Sequence, residues 1–115
     1  MIHTKTKDLF KVLLTAQYHP ILADIMFWLC QTFPEKIIVT SAFREGDSGV
    51  HGCGRSMDIR AWVFPFPKVI ERMINQAWEY DPKRPEMNVA WYHGMEYDPP
   101  APHIHIQCHD RTRRR

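Results

Sequence analysis

Cysteine is scarce in this chain. The three present, Cys30, Cys53 and Cys108, are an odd number, and no two stand at CxxC spacing. That excludes a disulfide framework and suggests folding in a reducing compartment. Long hydrophobic runs are also missing. None reaches the roughly 18 residues that span a bilayer. The N-terminus lacks a basic stretch leading into an apolar core and a small-residue cleavage site, so no secretory signal is expected. Internal repeats and low-complexity segments are absent too, which leaves solenoids and linker-like chains out. Charge is nearly balanced: the formal net value is +2, too little to argue by itself for nucleic acid. Much of the excess lies in Arg111-Thr112-Arg113-Arg114-Arg115, read as a solvated basic tail over 110–115. Steering toward an anionic surface is the alternative for that run.

What remains is an ordinary globular composition. The 115 residues are 44% apolar and 24% charged, which fits one domain, 1–115, with one core. Periodicity then suggests the elements. Lys7 to Leu14 has mixed helical spacing, and Pro20 opens a second helix over about Ile21 to Thr32, with Leu22, Ile25, Met26 and Leu29 on its buried stripe. The β-branched stretch from Lys36 to Ala42 reads as a strand, and 43–55, with Gly46, Gly49, Gly52 and Gly54, as a loop. From Ser56 to Trp62 the pattern alternates, Met57, Ile59 and Ala61 against Ser56, Asp58 and Arg60. Pro67 opens a helix with Val69, Ile70, Met73, Ile74 and Ala77 on one face, closed by Asp81-Pro82. Asn88 to Tyr92 is a further strand. His103 to Cys108 alternates strictly, with Ile104, Ile106 and Cys108 opposite His103, His105 and Gln107. Trp62, Phe64 and Phe66 are assigned to core packing, with a groove wall as the alternative. The order predicts an α+β domain: a small, mainly antiparallel sheet of about four strands packed on two to three helices.

The polar faces carry the chemistry. His103 and His105 project from one side of one strand, Asp58 from the polar side of another, and His51 stands in the glycine-rich loop that feeds it. Two imidazoles and a carboxylate form a catalytic zinc set that leaves one position for water. Bound zinc lowers the pKa of that water to about 7, and a further imidazole or carboxylate can move its protons. Each residue alone also fits a plainer role. A His-x-His strand is also a solvated surface strand, a loop His is also just a loop residue, and an Asp at a strand start also caps a turn.

The segment Ser48-Gly49-Val50-His51-Gly52-Cys53-Gly54-Arg55-Ser56-Met57-Asp58 resembles the SxxHxxGxAxD signature of zinc D-Ala-D-Ala carboxypeptidases and L-alanyl-D-glutamate endopeptidases. Ser48, His51, Gly54 and Asp58 match, and Ser56 replaces the usual Ala. Pro102-His103-Ile104-His105 is similar to the HxH motif of the same superfamily, which includes the hedgehog signalling domain. Ser41-Ala42-Phe43-Arg44 resembles its SxxR segment. The motifs cover 41–105 in the family order.

The resemblance implies a hedgehog/D-Ala-D-Ala-peptidase-like fold and a Zn2+ cofactor held by His51, Asp58 and His105. It implies His103 as the catalytic imidazole, and Arg44 and Ser48 on the substrate side, Arg44 clamping a peptide carboxylate. For Arg44 a surface salt bridge with Glu45 or Asp47 is the alternative. Where many relatives carry a third His, this chain has Pro100. Glu96, Asp98 and His93 are candidates for a second proton-handling group, and Cys53 is expected as a small buried side chain. The expected activity is hydrolysis of a peptide bond in peptidoglycan, as in a phage or prophage endolysin. The expected state is a monomer made in the cytoplasm and needing a separate release route, with no nucleic-acid partner. The alternative is a zinc-retaining binding module without turnover.

Overall fold

The structure is a computed structural model that describes residues 2–7, 9, 18–41, 54–96 and 101–115. Among these the chain is α+β. Its elements run β1 (Ile2–Thr4), α1 (Pro20–Thr32), β2 (Ile37–Ser41), β3 (Ser56–Arg60), α2 (Pro67–Ala77), β4 (Trp78–Glu79), β5 (Ala90–His93), β6 (His103–Gln107) and β7 (Arg113–Arg114). A five-stranded mixed sheet has the order β1-β2-β3-β6-β5, and β4 and β7 form a separate ribbon. The sheet is larger than the four strands expected. β1 pairs in parallel with β2, and the other pairs are antiparallel. Most of the helix expected over 7–14 lies outside the described residues.

Proline at the first helical position starts both helices. In α1 the His19 side chain accepts from Ile21 N–H, capping it, and Leu22, Ile25, Met26 and Leu29 are all buried as the stripe requires. In α2 only Ile70 and Ile74 are buried, whereas Val69 and Met73 stay exposed. The sequence reading made that apolar face too wide, because one stripe of so short a helix is all that meets the sheet.

The inward residues Val39, Met57, Ile59, Ala90, Ile104 and Ile106 form one core with the helix stripes. Edge strand β5 is covered from α2. Asn75 Oδ1 accepts from Val89 and Ala90 N–H, and its amide nitrogen donates to Ala90 O at 3.0 Å. Glu71 accepts from Tyr92 N–H. Side chains thereby occupy backbone groups that an open edge would offer to another chain.

Residues 110–115, read as a solvated basic tail, are exposed except for Thr112 and make ion pairs with the body of the domain. Arg111 makes a two-point ion pair with the buried Asp81. Arg113 and Arg115 pair with Glu79. The Arg114 guanidinium lies 5.4 Å from the ring centroids of both Trp28 and Trp78. A charge run reads as solvent-facing only when its counter-charges are out of view, and here they lie about 30 residues upstream. No helix among the described residues is long and apolar enough to cross a membrane.

Candidate metal and catalytic site

The β3–β6 register makes Asp58 the direct partner of His105, and Arg60 the partner of His103. Directly opposed residues share a face, so all four side chains stand on the side of the sheet away from Ile59 and Ile104. Asp58 Oδ1 and His105 Nδ1 are 2.8 Å apart, both largely shielded from solvent. The other ring nitrogen, Nε2, lies 3.2 Å from Gln107 Oε1. The Gln107 amide nitrogen donates to Asn88 O, so its oxygen is the end turned to the ring. Gln107 therefore holds Nε2 as a donor, and Nδ1 is the nitrogen left facing the Asp58 carboxylate.

This donor pair fits a zinc ion. Tetrahedral N and O ligands at about 2.0–2.1 Å from zinc stand about 3.3 Å from each other. The observed 2.8 Å is reached from there by a side-chain shift of about half an ångström. The third expected ligand, His51, lies outside the described residues, as do Arg44, Ser48 and Cys53. Among the described residues alone, no three His, Cys, Asp or Glu side chains converge as a metal-holding group. Gly54, two residues before β3, has φ 68°, a left-handed conformation that a side chain would oppose.

His103 is held differently. Its Nδ1–H donates to Ala101 O at 2.8 Å, so the neutral ring carries its lone pair on Nε2. The His93 ring stacks on it, with centroids 5.0 Å apart and planes at 30°. His93 Nδ1 in turn meets Glu96 Oε1 at 2.7 Å. Burial pushes the Glu96 carboxyl up, but the hydrogen bonds from His93 and from backbone N–H outweigh it and hold it below the usual carboxylate range. Two of the three candidates for a second proton-handling group thus form one pair beside His103, while Asp98 lies outside the described residues. Cys108 is a core residue whose thiol burial pushes up to about 11, which keeps it protonated.

A cavity of about 350 Å³ opens beside this face. Lys5, Thr40, Asp58, Arg60, Trp62, Ala101, Pro102 and His103 line it. The expectation of core packing for three aromatics holds for Phe64 alone; Trp62 and Phe66 are about 70% exposed. Gln107 was legible as a same-face neighbour of His105, but its orienting role was not. Nothing in the sequence brings Lys5, 55 residues before Arg60, to the same cavity. Comparison with family models, with curated proteins and with solved structures finds no match.

Proposed function

We propose that this chain is a zinc-dependent peptidase that hydrolyses a peptide bond in the stem peptides or cross-links of peptidoglycan, on a hedgehog/D-Ala-D-Ala-peptidase-like fold. The observation that carries the reading is the Asp58–His105 pair, facing across β3 and β6 at 2.8 Å with His103 on the same side. These residues occupy the positions that the motif resemblance assigns to two metal ligands and the catalytic imidazole. Asp58, His105 and His51 would hold the ion. When bound, zinc supplies a Lewis acid and acidifies a water to a pKa of about 7. Gln107 keeps the His105 ring turned so that Nδ1 faces the metal position. His103, anchored through Nδ1, accepts a proton at Nε2 during attack and returns it to the departing amine. Arg44 and Ser48 would engage the substrate, Arg44 through a carboxylate that matches its planar fork of donors.

The test is incubation of zinc-loaded protein with purified peptidoglycan, with new termini identified by mass spectrometry. About one zinc per chain and new peptide termini that chelator abolishes are expected. Stoichiometric zinc without new termini would replace the peptidase by a zinc-holding binding module. No zinc uptake at all would end both.

A further inference from the structure

Helix α2 turns two sides to the domain and one away from it. Ile70 and Ile74 enter the core, while Glu71 and Asn75 bind the backbone at β5. The outer side carries Phe66, Val69 and Met73, exposed to 71%, 43% and 40%. Positions i, i+3 and i+7 stand in one row along a helix, so the three make a continuous apolar stripe headed by Phe66. Single exposed apolar side chains need no explanation, but a contiguous patch marks a surface that something covers. Phe66 is also the N-cap of α2, where a Ser, Thr, Asp or Asn would bond a free N–H, and its side chain makes no capping bond. The ring therefore serves the fold neither as a cap nor as core.

Charge says what covers the row. Lys68 and Arg72 flank it one helical turn apart, both exposed, and neither is in an ion pair with a described carboxylate. That contrasts with Arg55, Arg84, Arg111, Arg113 and Arg115, each matched to an acid. The first turn of α2 holds no acidic residue, so the positive end of the helix dipole adds to the same field. The one acid of the helix, Glu71, is occupied by Tyr92 N–H. A second copy does not fit here, because a two-fold contact pairs a patch with itself and would set these cations against their own like charges. Neither the cavity beside the candidate site nor an apolar one of about 270 Å³ beside α1 takes a wall from α2, so the row offers no groove to a peptide.

We propose that the outer face of α2 docks on an anionic lipid bilayer, with Phe66, Val69 and Met73 entering the boundary between headgroups and acyl chains and Lys68 and Arg72 meeting the lipid phosphates. At 11 residues α2 is far too short to span a bilayer, and its row along the axis sets it in the plane of the interface. Each cation beside an anionic leaflet contributes about 5-fold in affinity, so the pair contributes about 25-fold. The surface shares no residue with the candidate metal site and goes beyond the peptidase reading.

The test is flotation of the whole chain, in chelator, with vesicles of phosphatidylcholine and with vesicles of phosphatidylcholine mixed with phosphatidylglycerol. Binding to the anionic vesicles is expected to be about 10-fold tighter or more, and to weaken with added salt. The double variant Lys68→Gln, Arg72→Gln should lose most of that preference. Phe66→Ser should bind about 10-fold more weakly, for the loss of a buried ring, while its Tm holds or rises because serine caps the helix. Met73→Gln should weaken binding in the same direction. No binding to anionic vesicles would overturn the proposal, as would binding that none of these variants changes. Loss in the charge variant alone, with Phe66→Ser and Met73→Gln binding like the parent, would overturn it as well. So would equal affinity for soluble polyglutamate, which would put an acidic protein partner in place of lipid. Concentration-dependent dimerisation that Met73→Gln abolishes, without vesicle binding, would give the face to a second copy instead.

Discussion

His103 and His105 are two residues apart on one strand, on one face, and differ in what holds them. His105 is gripped at both nitrogens, by Asp58 and by Gln107, whereas His103 is tied to its own chain at Ala101 O. A ligand needs a fixed nitrogen beside the other donors, and a proton carrier needs a lone pair toward the reaction. His105→Ala is therefore expected to lose zinc and turnover together. His103→Ala should keep about one zinc and lose about 10²–10⁴-fold in kcat, the range for a positioned proton-transfer group. Ile104, fully buried between them, should cost about 2–5 kcal/mol when cut to Ala while metal per folded molecule stays the same. Zinc content measured beside turnover for the three variants decides the matter, and an emptied site in His103→Ala would reverse the two roles.

Strands β3 and β6 were readable because each alternates over five residues, so their polar faces followed from a period of two, whereas Asp58 standing opposite His105 depends on a pairing register that the period does not give. β1, β4 and β7 were not, since two or three residues hold no period and their partners come from far along the chain. The motif resemblance pointed to Asp58 and His105, but no local pattern brings Lys5 and Trp62 to one cavity, because that depends on strand order. The cover on β5 was equally hidden. Asn75 looks like an unremarkable helix residue, yet it satisfies Val89 and Ala90 at three backbone atoms. Both residues are about 1% exposed, so water cannot easily replace the amide. Asn75→Ala should then cost about 2–4 kcal/mol, since each buried backbone group left unpaired costs on the order of 1–3 kcal/mol. Urea unfolding measures it. A loss under about 0.5 kcal/mol, the range of ordinary surface changes, would mean that the edge finds other partners.

Arg111 is joined to the middle of the chain through one buried acid. Asp81 is fully shielded and accepts from Arg111 at two points, from Lys83 N–H and from Arg84. The Arg111 hydrogen bonds, helped by Lys83 and Arg84 against the opposing effect of burial, hold its carboxyl well below the usual carboxylate range. A carboxyl depressed on folding contributes stability that is fully present above its unfolded pKa, about 3.9, and is lost as pH falls below that value toward the folded one. Asp81→Asn removes the charge but keeps the shape. At pH 7 the variant is expected to be clearly less stable than the parent, because Arg111 and Arg84 lose their counter-ion. As pH is lowered below about 4, the unfolded parent takes up a proton at Asp81 that the folded protein does not, and the difference shrinks. Urea melts of both proteins at pH 7, 5, 4 and 3, in chelator so that zinc ligation does not contribute, trace the gap. No gap at pH 7, or a gap that stays constant down to pH 3, would show that ionisation of Asp81 is not what stabilises the fold. A gap that closes only in the acid would tie the last five residues, through one ion pair, to the stability of the whole domain.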